Sequence, residues 1–159
     1  MQQEPPQETP WWAQGEGLRF ACTGCGRCCT GAPGVVWITE EDAISMAEAL
    51  DLELEVFERR YVRWLGNRRA LRERRRMDPT QPSNILHDCV FLEEGVRCTV
   101  YGQRPVQCRT FPFWPEHLVS PERWEQLGRL GCEGINPNAP PVPVHQIALA
   151  VQESGEAFD

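Results

Sequence analysis

Four cysteines within eight residues, Cys22-x2-Cys25-x2-Cys28-Cys29, constrain this chain more than any other feature. Glycines at 24, 26, 31 and 34 suit a loop wrapped around something and poorly suit helix or strand. An x2 spacing lets two thiolates address one ion from a tight loop, and Gly24 and Gly26 allow the backbone turns this needs. Three thiolates at successive x2 spacings can also hold three corners of an iron–sulfur cluster. Further ligands must come from elsewhere, and Cys89, Cys98, Cys108 and Cys132 are the candidates. Zinc takes four nitrogen or sulfur ligands per closed site. Eight thiolates therefore suffice for two zinc sites, two clusters or one polynuclear centre. The competing reading is free cysteine acting as a small core hydrophobe. It is weakest for Cys22, Cys25 and Cys28 and strongest for Cys132.

The compartment follows from the same cysteines. In a secreted chain eight could pair as four disulfides; in a reducing compartment they read as ligands or redox groups. The opening residues MQQEPPQETPWWAQGEG carry no Lys or Arg and no apolar stretch, so a secretory signal is not expected and the cytoplasm is. No apolar run approaches the ~20 residues that span a bilayer. A net charge of −7 argues against a dedicated nucleic-acid binder. The one hint the other way is the segment 59–76, with nine Arg and one Glu, beside eight acids between 40 and 58. Either the two blocks neutralise one another across a helix pair and a hairpin, or the arginines receive an anionic partner such as RNA or an acidic protein.

The 159 residues suit one domain. The expected organisation is a flexible arm over 1–17, a cysteine-cluster metal-binding domain over 18–135, and a Pro-rich C-terminal extension over 136–159 with a short helix at about 145–152. Trp11 and Trp12 are expected to pack back on the domain. The expected fold is α+β: a small, loop-rich, metal-stabilised domain with a few short helices and a β-hairpin. Val35–Ile38 reads as a strand, and Thr39 as the N-cap of a helix whose apolar face is Ala43, Ile44, Ala47 and Leu50. A second helix over about 53–64 would bury Val56, Phe57, Tyr61 and Trp64. Residues 89–92 and 96–101 read as the hairpin, with Glu93, Glu94 and Gly95 between them. With an even loop Cys89 and Cys98 share a face; an odd loop would separate them. Pro105 opens a short helix through Cys108, residues 111–115 are extended, and 121–130 is helical.

In chain order, C-x2-C-x2-C-C at 22–29, D-C-x-F-L at 88–92, C-x-V-Y at 98–101, R-P-x-x-C-R-x-F-P at 104–112 and G-C-x-G at 131–134 resemble one bacterial family. It is the CxxCxxCC cysteine-cluster family, the YkgJ-like zinc- or iron-chelating domain, and the resemblance runs from about 20 to 135. It implies cysteine-bound zinc or iron and a bacterial cytoplasmic protein, without a settled reaction. A related domain occurs in flagellin lysine methylases, where an iron–sulfur cluster serves the chemistry. Glu133 departs from the family pattern, which has Pro there.

Arg104 and Arg109 flank Cys108, and guanidinium groups beside thiolates favour the ligating, deprotonated form. His87 and His117 are alternative ligands. Three functions follow. The first is an iron–sulfur protein, with 4Fe–4S favoured, serving electron transfer or group-transfer chemistry with an unknown protein or redox partner. The second is a structural or chelating zinc protein acting as an interaction module. The third is a thiol–disulfide redox protein using adjacent Cys28 and Cys29 or a C-x2-C pair. No Ser–His–Asp order, phosphate loop or carboxylate pair marks an enzyme.

Overall fold

The computed structural model describes residues 7–93 and 97–158. Among them the fold is α+β, with short antiparallel strands and five α-helices. Strand β1 (Leu18–Arg19) leads into the cysteine loop, followed by β2 (Trp37–Ile38) and α1 (Glu40–Ala49). Next come α2 (Leu54–Tyr61), β3 (Val62–Leu65), β4 (Arg68–Leu71), β5 (Glu73–Met77) and β6 (Ile85–Cys89). The short strands β7 (Leu92–Glu93) and β8 (Arg97–Cys98) precede α3 (Val106–Thr110), α4 (Pro121–Leu130), β9 (Pro141–Val142) and α5 (Val144–Phe158). One sheet has the order β2-β4-β3, and β1–β9, β5–β6 and β7–β8 are two-stranded ribbons. Among the described residues no helix is long and apolar enough to cross a membrane.

Thr39 caps α1 as its hydroxyl suggests: Oγ1 accepts from the Asp42 amide, and the Asp42 carboxylate accepts from the Thr39 amide, both at 3.0 Å. The buried face of α1 is nevertheless Ala43, Met46 and Ala47, and Ile44 is 40% exposed. Helical spacing fits both phases, and the flexible Met46 fills the core gap that Ile44 was expected to fill. The second helix ends at Tyr61, and Val62–Leu65 is strand. Val62 is buried in extended conformation, where its branched side chain packs well. Gly66, at φ +64°, then turns the chain into β4. Trp64 is consequently 50% exposed and lies under the Arg69 guanidinium, 4.7 Å from ring centroid to Cζ.

The hairpin also differs from expectation. Leu92 faces Cys98 and Glu93 faces Arg97, which is the odd register. Its loop residues Glu94, Gly95 and Val96 lie outside the described residues. The odd register does not carry Cys89 away from Cys98, because β6 ends at Cys89 and the chain turns at 90–91 before β7 begins. Cys89 instead opposes Glu73 on the β5–β6 ribbon.

Two apolar clusters result. Ile38, Ala43, Met46, Phe57, Val62, Leu71 and Phe91 form the larger, with Cys89 and Cys98 packed against it. Leu18, Phe113, Leu118, Trp124 and Ile147 form the second, against which Trp11, Trp12 and Phe20 pack. Trp11 is fixed there by its Nε1, which donates to the Leu118 carbonyl at 2.7 Å.

Candidate metal centre

The cysteine loop is stitched at both ends to other parts of the fold. At its entry the Phe20 amide donates to Pro140 O (3.2 Å) and the Ala21 amide to Gly134 O (3.0 Å). Gly134 has to be glycine: a Cβ there would stand 2.4 Å from Ala21 O. At its exit Thr30 Oγ1 donates to Asp88 Oδ1, and the His87 amide donates to Gly31 O at 2.8 Å. Within the loop Gly24 and Gly26 adopt φ +71° and +74°, and Gly26 leads into a short 3-10 turn over Arg27–Cys29. A carboxylate closes the arrangement from outside. Glu133 accepts from Thr23 Oγ1 at 2.7 Å and pairs with Arg27 at 3.7 Å. The residue that departs from the family pattern thus joins both x2 gaps of the loop to the neighbour of Cys132.

All eight cysteines are free. Cys28 and Cys29 hold their sulfurs 3.9 Å apart. The thiols of Cys28, Cys89 and Cys108 act on Cys29, and those of Cys28, Cys89 and Cys98 act on Cys108. Cys25 and Cys28 act on Cys132, while Cys22 beside the Tyr101 phenol raises its proton affinity. The loop, the end of β6, β8 and α3 therefore send sulfurs into one another's field. Among the described residues no three His, Cys, Asp or Glu side chains are gathered at the spacing that holds an ion.

Proton affinities divide the set. Burial pushes Cys89 up to about 11 and Cys108 up to about 12, and it also raises Cys98 and Cys132. Cys28 goes the other way, down to about 6, chiefly through the hydrogen bond from Cys29 and in lesser part through Arg104; Cys29 rises as the donor.

The two flanking arginines separate. Arg104 lies over the Tyr101 ring at 3.8 Å and acts on Cys28, Cys98 and Cys108. Arg109 turns to Asp42 at 3.5 Å and to Arg104 O at 2.9 Å. His117 is buried, with Nδ1 2.9 Å from Pro112 O and its ring stacked on Trp114. Tyr101, Glu133 and Glu73 are site neighbours that the cysteine spacing does not reveal. Tyr101 is marked by its place in C-x-V-Y and Glu133 by its place in G-C-x-G, whereas nothing local marks Glu73.

Soft thiols stand in the cysteine loop, at the end of β6, on β8 and on α3 of a small α+β frame. Residues 21–131, more than half of the chain, match the family model CxxCxxCC, described as "Putative zinc- or iron-chelating domain", and the chain belongs to that family. No solved structure matches it. Cys132 and Glu133 fall just beyond the matched residues.

Proposed function

We propose that this chain holds an iron–sulfur cluster, 4Fe–4S in the first instance, and serves electron transfer or group-transfer chemistry in a reducing cytoplasm. Its thiolate pool is Cys22, Cys25, Cys28, Cys29, Cys89, Cys98, Cys108 and Cys132. The observation that carries this reading is the loop that bears Cys28 and Cys29, their sulfurs 3.9 Å apart, tied through Thr30 to Asp88 and through Gly31 to His87 on the strand that ends in Cys89. The donor set fits the group, because soft thiolates suit iron clusters and zinc alike. When bound, a cluster would supply one-electron transfer or a Lewis-acidic iron. The protein's own residues do the rest. Arg104 offsets thiolate charge, the Tyr101 hydroxyl stands beside Cys22, and Glu133 with Thr23 and Arg27 steadies the loop.

Thiol–disulfide exchange has a specific support of its own, the 3.9 Å pair Cys28 and Cys29 with one acidic sulfur. The pair sits in a 3-10 turn and not at the strand-to-helix junction that redox motifs use.

Purification without oxygen tests the choice. A brown protein with broad visible absorption, carrying iron and acid-labile sulfide, is expected. A colourless protein with stoichiometric zinc would replace iron by zinc and leave chelation standing. A protein with neither metal, in which Cys28 and Cys29 cycle with a dithiol, would leave only exchange.

A further inference from the structure

We propose that the outer edge of β5 receives an acidic, extended segment of a partner protein as an added strand. Nothing in this depends on the metal centre. It concerns the arginine segment, which the centre leaves without a role. Of the nine arginines between 59 and 76, Arg63, Arg69 and Arg76 meet Glu73, Glu58 and Asp88. Among the described residues Arg59, Arg60, Arg72, Arg74 and Arg75 form no ion pair. The acidic block 40–58 does not cover them. Among the described residues Glu58 alone of its eight acids pairs with an arginine of the segment.

Hydrogen bonds decide which way the backbone of β5 points. The His87 amide donates to Gly31 O, away from β5, while the Val90 amide donates to Arg72 O at 3.0 Å. In an antiparallel ladder these directions alternate, so Arg72, Arg74 and Arg76 turn their backbone groups to β6. Glu73, Arg75 and Met77 turn theirs outward. Among the described residues β6 is the one strand that pairs with β5, and no hydrogen bond meets the outward N–H and C=O groups of Arg75 and Met77. Arg74 to Met77 are all exposed, Met77 by 67%. The edge is bare.

A bare edge pairs with any extended chain unless its side chains select. Here they select by charge. A second copy of this chain, laid antiparallel about Arg75, would set Arg74, Arg75 and Arg76 against three arginines, and like charges directly opposite destabilise a pair. In an acidic segment three consecutive carboxylates fall across from those guanidiniums, and the backbone bonds of an added strand supply the rest. Arg72 and the end of α2 prolong the charge. The Arg72 amide donates to Tyr61 O at 2.8 Å, and its Nη2 donates to Arg59 O at 3.5 Å. Guarding the edge against other strands explains charge on β5 itself. It does not explain the uncompensated Arg59, Arg60 and Arg72 beside it. A phosphate backbone accepts hydrogen bonds without donating any, and neither β5 nor β6 carries a Phe, Tyr or Trp on which bases could stack. The chemistry therefore favours a peptide over a nucleic acid.

Titration of the full-length, isotope-labelled protein with the peptide acetyl-Thr-Val-Glu-Glu-Glu-Val-Thr-amide tests this by nuclear magnetic resonance. The peptide reads alike in both directions, so it fits either strand polarity. Slowed hydrogen exchange at the Arg75 and Met77 amides is expected, with an affinity that falls as salt rises. Arg75→Glu should weaken binding roughly tenfold. Met77→Pro removes an outward N–H without altering charge, and should weaken binding too. The wild-type exchange pattern stands by itself should either variant fail to fold. A copy of the peptide with N-methylated glutamate amides keeps every charge, and equal binding by that copy overturns strand addition. Tighter binding of a short oligothymidylate makes the surface a nucleic-acid site and overturns the acidic partner. No binding of the peptide at low salt overturns the site outright.

Discussion

At the scale of single residues, Cys25 is the sharpest probe of the centre. It sits between two left-handed glycines in the loop and belongs to neither apolar cluster of the described residues, so its role reduces to its thiol. Cys25→Ser should lower metal content measured by elemental analysis, and His145→Ala should not. Full metal retention in Cys25→Ser would exclude the N-terminal loop as part of the site. His117 tests a different term. Burial lowers its proton affinity, so the unfolded chain, titrating near 6.5, binds the proton more readily than the folded one. Its contribution is present above that pH and is lost as pH falls below it. The denaturation midpoint should therefore drop between pH 7 and pH 5, and the drop should be shallower in His117→Gln. Equal slopes would assign the acid sensitivity to the carboxylates instead.

At the scale of elements, the decisive contacts are those that bring the thiol-bearing segments together. Gly134 lets strand β1 and its continuation approach the turn after Cys132, and a methyl group there would strike backbone rather than a side chain that could swing away. Gly134→Ala should cost a few kcal/mol in chemical denaturation, in the range of overpacking changes, and should weaken metal retention in parallel. Unchanged stability would mean that the loop entry tolerates displacement. The sequence was informative where the signal was local. Thr39 marked its cap, the bounds Pro121–Leu130 were legible from Pro and the apolar spacing, and the x2 glycine pattern marked a loop. It was uninformative where pairing was long-range. The strands β3 to β5 fall in and just beyond the arginine segment 59–76, where a hairpin was one reading, but their bounds and pairing were hidden because their stabilising partners lie across the ribbons and in single aromatic contacts such as Arg68 over Trp37. The turn between Cys89 and Phe91 hid the hairpin register for the same reason. Glu73 acts on Cys89 across the ribbon and Glu133 on Thr23 and Arg27 across the fold, so no spacing rule exposes them.

At the scale of the whole molecule, the cysteine loop runs from one apolar cluster to the other. It is entered from Phe20, which packs with Phe113 and the second cluster, and it exits onto Asp88 and His87 of the ribbon whose Cys89 packs against the first. Each cluster is small, so an ion holding sulfurs from both sides would couple them into one cooperative unit. Such an ion stabilises the folded state by mass action, about 4 kcal/mol when free metal exceeds the dissociation constant by roughly a thousandfold. For a chain of this size 1 kcal/mol shifts the melting temperature by roughly 2–4 °C, so removing the metal should lower it by roughly 8–16 °C. Calorimetry should also show the chelated protein melting over a broader range than the loaded one, as the two clusters lose their common tie. The comparison requires elemental analysis of both samples, because residual metal would hide the effect. An unchanged, equally sharp transition in protein shown to be metal-free would mean that the hydrogen bonds at Gly134, Asp88 and Gly31 already couple the clusters. The centre would then be a passenger on a self-sufficient fold.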